Sequence, residues 1–222
     1  MPDDVPAAFI IRPYDVGDRD AVAHVCVCTA AGGQDARGLY SDDALMPDVY
    51  ALPYVEHSPE LAFVVTTVDA GDDAGGRVVG YVLGVADTPA FVAWWERVWT
   101  PRFRAAHPAA GAPTGRNPRY AEADLVRDGA DPQRMLRGLT AEELQAFPAH
   151  LHIDLLPEAQ RRGLGRRLLD TLRQALAARG VPGVHLGYDP ANTSARAFYD
   201  RYGFVELPSH RPDAPLLGIA TS

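Results

Sequence analysis

Leu151-His152-Ile153-Asp154-Leu155-Leu156 alternates apolar and polar side chains, and after three intervening residues Gln160-Arg161-Arg162-Gly163-Leu164-Gly165 leads into a long helical pattern. The alternation predicts a strand with Leu151, Ile153 and Leu155 on one face and His152 and Asp154 on the other. From about Gly163, Leu164, Leu168, Leu172 and Leu176 recur at four-residue steps, an apolar helix stripe that Arg179-Gly180 and Pro182 stop. The turn between strand and helix therefore presents backbone N–H groups without intrahelical partners, and its two glycines allow an anion to approach closely. Arg161, Arg162, Arg166 and Arg167 crowd the same turn, although a cation at a helix N-terminus costs ~0.3–1 kcal/mol. A bound diphosphate would offset that cost; the plainer alternative is four solvated arginines. Gly163-Leu164-Gly165 also contains Gly-x-Gly, but the third glycine of a dinucleotide fingerprint falls on Leu168, and no acidic residue ends the next strand at the required distance of roughly 20 positions.

Downstream, Val184 to Leu186 reads as a short strand, Asn192 to Tyr202 as a helix, and Phe204 to Leu207 and Leu216 to Ile219 as strands. Ala195, Phe198, Tyr199 and Tyr202 share one face of that helix, with Asn192 placed to cap it. A core stripe explains Phe198. Tyr199 differs, because a buried phenol needs a partner and is a usable proton donor.

Upstream, Phe9-Ile10-Ile11 predicts a first strand and Asp15 to Thr29 a helix carrying Val22, Val25 and Cys26. Residues 30 to 60, rich in Gly, Asp and Pro, predict irregular chain with one short helix around Ala44 to Tyr50. Leu61 to Val68 and Arg77 to Val85 predict an antiparallel hairpin about the turn-forming stretch Asp69 to Gly76. Asp87 to Phe147 breaks the β pattern with an aromatic helix (Phe91, Trp94, Trp95, Val98, Trp99), a Pro/Gly-rich stretch from Pro108 to Pro118, and short helices, of which Thr140 and Glu143 frame the last with a capping box. Helix-spaced tryptophans are expected in the core. The expectation is one domain over residues 1–222 with a helical insertion at about 87–147.

Composition narrows the chemistry. The chain carries 29 acidic and 21 basic residues, a formal charge of −8, which disfavours nucleic acid and anionic membranes as partners. Lysine is absent, which excludes a Walker-type phosphate loop and Schiff-base or pyridoxal chemistry. Cys26 and Cys28 point about 200° apart on a helix, so neither a metal site nor a disulfide framework is expected. The start, Met1-Pro2-Asp3-Asp4, lacks a basic region followed by an apolar run, and no stretch approaches membrane-spanning length; a cytoplasmic protein is expected.

Gln160-x-x-Gly163-x-Gly165 after a strand resembles the acyl-CoA diphosphate motif of the GNAT superfamily. Asn192-Thr-Ser-Ala195-Arg-Ala-Phe198-Tyr199, followed by Gly203-Phe204, resembles the second motif of that family, in the expected order. Ile11-Arg-Pro-Tyr14, Asp20-Ala-Val22, Ser58 to Phe63, Val79-Gly-Tyr81 and Asp87 to Phe91 extend the likeness to the acetyltransferase-like domain of O-GlcNAcase and its stand-alone bacterial homologues. The resemblance implies an α+β fold in three layers: a mixed, mostly antiparallel central sheet with splayed central strands, flanked by helices. It implies acetyl-CoA as cofactor, with Leu155 and Leu156 offering backbone groups to the pantetheine and thioester, Gln160, Arg161, Arg162, Gly163, Leu164, Gly165 and Arg166 around the diphosphate, and Asn192, Ala195, Phe198 and Tyr199 along the arm. Acetyl transfer to a primary amine by direct attack is implied, on a small-molecule or peptide acceptor, by a monomer or homodimer. Tyr199 is then the acid toward the sulfur, Asp154 the first candidate base and His152 the second. The alternative is a non-catalytic acetyl-CoA-binding module.

Overall fold

The computed structural model describes residues 8–68, 76–108 and 122–222. The start Met1 to Asp4, most of the turn between the hairpin strands and most of the Pro/Gly-rich stretch lie outside the described residues.

Among the described residues, seven strands form one sheet in the order β1-β2-β3-β4-β5-β7-β6. They are β1 (Ala8–Pro13), β2 (Ala62–Val68), β3 (Val78–Val85), β4 (Ala149–Leu155), β5 (Gly183–Gly187), β6 (Val205–Glu206) and β7 (Leu216–Ala220). Every neighbouring pair is antiparallel except β4 and β5. That parallel pair is joined only at Ala149↔Val184 and His150↔His185. Beyond it the strands part: Leu151 to Leu155 continue against β3, while Leu186 and Gly187 continue against β7. Beyond His150 that edge of β4 has no strand partner among the described residues, which is the splay expected of the fold.

The helix α8 (Leu164–Ala177) covers one face of the sheet, burying Leu164, Leu168, Leu169, Leu172 and Leu176. The four-residue stripe thus packs into the core, with Leu169 beside it, at roughly 1.5–3 kcal/mol per buried leucine side chain. Helices α1 (Arg19–Thr29) and α3 (Leu52–His57) cover the other face, with α2 (Leu45–Tyr50) against α1. Helix α9 (Thr193–Tyr202) follows β5, capped by Asn192, whose side chain accepts from Ala195 N at 3.0 Å.

Two expectations needed correction. Asp15 to Thr29 is not one helix: a 3₁₀ turn, Val16–Asp18, precedes α1, because Asp15 and Asp18 cap each other's backbone N–H groups and close the turn before α1 begins. Residues 30–60 hold two helices and a 3₁₀ turn (Pro59–Leu61), not one short helix. Pro53 and Pro59 stand in first turns, where a missing N–H costs nothing, while Leu45, Met46, Val49, Tyr54 and Val55 are buried.

Residues 87–147 supply α4 (Thr88–Trp94), a π-helical turn Trp95–Trp99, α5 (Thr100–Ala106), α6 (Glu122–Ala130) and α7 (Ala141–Ala146). Trp95 and Trp99 are core residues whose indole N–H groups donate to Gly129 O and Asp48 O, both at 3.0 Å. Trp94 is partly exposed and stacks on Phe91. The Thr140–Glu143 capping box forms as expected.

Candidate active site

The splay opens between the C-terminal half of β4 and the start of α9, with the first turn of α8 at its end. Gly163 is the N-cap of α8 with φ +75°, and Arg161 also takes a left-handed conformation, φ +57°. A side chain at Gly163 would meet nothing within 4 Å but would be strained by the backbone. No side chain caps α8, so the N–H groups of its first turn have no capping side-chain acceptor. Gly165 is constrained differently: an added Cβ would stand 3.1 Å from Phe198 Cζ and 3.7 Å from Leu155 Cδ1. That contact ties together α8, α9 and the end of β4, the three elements that carry the sequence motifs.

Around this turn Gln160 Nε2 donates to Leu155 O at 2.9 Å, and Arg162 Nε donates to Glu158 O at 2.8 Å while stacking over Phe9. Arg166 lies over the Tyr202 ring. Arg161, Arg162, Arg166 and Arg167 are all exposed. Leu156 N donates to Val79 O and Leu156 O accepts from Ala159 N, both at 2.9 Å, so both backbone groups expected of Leu156 are already engaged. By strand alternation the N–H of Leu155 points to the open edge instead. Asn192 uses its oxygen as the α9 cap and for Ser194, leaving its amide nitrogen.

Asp154 faces α1. It stands in register opposite Tyr81, whose hydroxyl donates to Asp154 Oδ2 at 2.7 Å. Burial pushes the Asp154 carboxyl up to about 6, with the hydroxyls of Tyr81 and Thr29 pulling the other way. Such a carboxylate is ionised yet basic at neutral pH. Tyr199 is buried, its phenol raised by burial and then by the nearby Asp154 charge, so it stays protonated. Tyr199 packs on Tyr188, Phe198 and Phe204.

Two residues before Asp154, on the same face, His152 is partly exposed and is held down to about 3 by burial and by Arg134. It contacts Tyr50 and Tyr54 edge-on, and Tyr54 in turn reaches the buried His150. Neither Tyr81, Tyr54 nor His150 was among the expected site residues. His150 extends the same alternation as His152 and Asp154, a signal present in the sequence; Tyr81 and Tyr54 carry only the general signal that a buried phenol seeks a partner.

Comparison with known proteins agrees with this geometry. The family model described as "Acetyltransferase (GNAT) family" matches residues 136–204. The crystal structure of SsHAT superposes with a TM-score of 0.81 at 45% identity, covering 97% of this chain and 99% of that one. Mycothiol acetyltransferase of Beutenbergia cavernae is 33% identical over 128 residues, 52% of this chain and 43% of that protein. The ribosomal protein bS18-alanine N-acetyltransferase of Escherichia coli is 32% identical over 93 residues, 42% of this chain and 60% of that enzyme. The chain thus spans about half the length of these curated relatives. The chain belongs to the GNAT acetyltransferase family, whose acyl donor is acetyl-CoA. Among the described residues, no helix is long and apolar enough to cross a membrane.

Proposed function

We propose that this protein is an acetyl-CoA-dependent N-acetyltransferase that transfers acetyl to a primary amine, a small molecule or a peptide, by direct attack. The observation that carries this reading is the open edge of β4, bounded at one end by the uncapped, glycine-lined start of α8 and flanked by a basic carboxylate and a protonated phenol.

The residues fit the cofactor. The first-turn N–H groups of Gly163, Leu164, Gly165 and Arg166 would hold the diphosphate, with Gln160, Arg161 and Arg162 around it. Leu155 N–H and the Asn192 amide nitrogen would bond the pantetheine, with Ala195 and Phe198 packed beside it; Leu156 would contribute packing alone, since its N–H and C=O are taken. When bound, acetyl-CoA supplies the acyl thioester. Asp154 would take, on its second oxygen, the proton that the amine nitrogen sheds as the new C–N bond forms. Tyr199 would give its proton to the departing sulfur, and transfer of the Asp154 proton to Tyr199 through solvent restores both groups. His152, with its proton affinity suppressed by burial, is the poorer base of the two candidates on this face. Cys26 and Cys28, both unpaired and buried, suit a reducing cytoplasm.

The test is thiol release from acetyl-CoA across a panel of amines, peptides and amino sugars, with cofactor binding followed by calorimetry. Release that depends on a primary amine supports the reading. Binding without release on every acceptor removes the activity, and no binding at millimolar acetyl-CoA removes the cofactor site as well.

A further inference from the structure

The buried polar side chains behind His152 form a chain in which the position of every proton follows from one fixed point. Thr88 Oγ1 lies 2.7 Å from Pro148 O, which can only accept, so the single Thr88 hydroxyl proton points there. His150 Nδ1 lies 2.8 Å from the same Thr88 oxygen and must therefore be the donor. A neutral imidazole carries one N–H, and His150 is held neutral by burial, so its Nε2 is an acceptor. Tyr54 Oη, 2.8 Å from that nitrogen, donates to it rather than to Met135 Sδ, a weak acceptor at 3.8 Å. With its only proton spent, Tyr54 Oη can only accept from His152 Nε2 at 3.1 Å. The proton of His152 is thereby fixed on Nε2, and Nδ1 carries a lone pair.

No described residue bonds His152 Nδ1, and His152 is partly exposed whereas Tyr54, His150 and Thr88 are buried. The lone pair stands on the face of β4 that carries Asp154, two positions away and thus roughly 6.6 Å along the strand. Asp154 Oδ2 accepts from Tyr81 and the Thr29 hydroxyl also bonds this carboxyl, whose remaining lone pairs can accept a further donor. The acceptor side of the site therefore presents two hydrogen-bond acceptors two positions apart on one face of β4. A neutral primary amine has two N–H groups and one lone pair. With each N–H on one acceptor, the lone pair is the only direction left for attack. A secondary amine or an alcohol has a single proton and leaves one acceptor unpaired, a loss that binding sites built on hydrogen bonds discriminate strongly.

We infer that His152 is a positioning residue of the acceptor site, whose Nδ1 lone pair, oriented by the Tyr54–His150–Thr88–Pro148 chain, shares the amine with Asp154 and selects primary amines. The inference rests on the amine-acetyltransferase reading above.

The experiment pairs two readouts. Long-range ¹H–¹⁵N spectra of the imidazoles in the free protein should show the Nε2–H tautomer for His152 and the Nδ1–H tautomer for His150, and Tyr54→Phe should turn His152 into a tautomer mixture. In turnover, kcat/KM is compared for 2-phenylethylamine and N-methyl-2-phenylethylamine, or for the best primary amine of the screen and its N-methyl derivative. Wild type should prefer the primary amine; His152→Leu should lose roughly tenfold on the primary amine and little on the secondary one, through KM more than kcat, with acetyl-CoA affinity retained. An Nδ1–H tautomer at His152, or an unchanged preference in His152→Leu, overturns the inference alone. A wild type that releases thiol with no amine overturns the underlying reading and this inference together. Should Tyr54→Phe fail to fold, the wild-type tautomers and the His152→Leu preference still decide.

Discussion

Tyr81 and Asp154 face each other in register across β3 and β4, and the Tyr81 hydroxyl donates to Asp154 Oδ2 over 2.7 Å. The bond favours the carboxylate, while burial favours the acid, and burial wins: the group sits at about 6. A base must be ionised to accept a proton, so kcat/KM for the amine should fall on the acid side with an apparent pKa near 6. Tyr81→Phe removes the stabilising donor and should move that limb upward by about one to two units, since a hydrogen bond to a charged group is worth ~1.5–3 kcal/mol. A limb that stays in place in Tyr81→Phe, or that persists in Asp154→Asn, would take Asp154 out of the base role.

Tyr199 offers a cleaner separation of binding from chemistry. Its ring is buried among Tyr188, Phe198 and Phe204, and Phe in its place keeps those contacts. Tyr199→Phe should therefore leave acetyl-CoA affinity within about twofold while kcat drops by about 10²-fold, the loss of a general acid. Equal turnover in the two proteins, measured by thiol release, would assign protonation of the sulfur elsewhere.

At the other end of the site, Gly163 has empty space where its Cβ would be and a backbone that only glycine adopts without strain. Gly163→Ala should cost roughly 1–2 kcal/mol of stability, whereas Gly163→Asp adds a carboxylate to the proposed anion site and should abolish cofactor binding. The comparison of the two by calorimetry isolates charge from strain. Undiminished affinity in Gly163→Asp would move the diphosphate to another place.

The elements that carry the site were legible to different depths, and the reasons are physical. The leucine stripe of α8 and the alternation of β4 are local periodicities; the stripe is buried on one face of α8, while β4 forms as a strand with helices over both its faces. Asn192 was readable as a cap from its position before an apolar stripe. Tyr81 was not readable as the partner of Asp154: it lies 73 residues away in a strand buried along its whole length, where alternation carries no signal. The splay was legible only through family resemblance, because where two parallel strands stop pairing is decided by what packs on either side of them. Residues 30–60 misled through composition, since proline in a first turn starts a helix as readily as it ends one.

The histidine chain predicts how the fold responds to acid. His152 is held at about 3, against roughly 6.5 when unfolded, and His150 and His185 are lowered in the same direction by burial. A depressed histidine stabilises the fold above its unfolded value, and that stability is lost as pH falls through the window down to the folded value. For His152 the loss between pH 7 and pH 5 is about 2 kcal/mol. Asp154 runs the other way: its carboxyl is raised to about 6, so its protonation in the fold as pH falls from 7 to 5 returns roughly 1 kcal/mol. With His57, His150, His152 and His185 on one side and Asp128 and Asp154 on the other, unfolding free energy measured by denaturant titration should fall from pH 7 to pH 5. Asp154→Asn, lacking one opposing group, should fall more steeply than wild type, and His152→Leu less steeply. A stability that rises over this range in wild type would mean that the His150–His152 pair is charged in the fold, and the tautomer chain could not then exist.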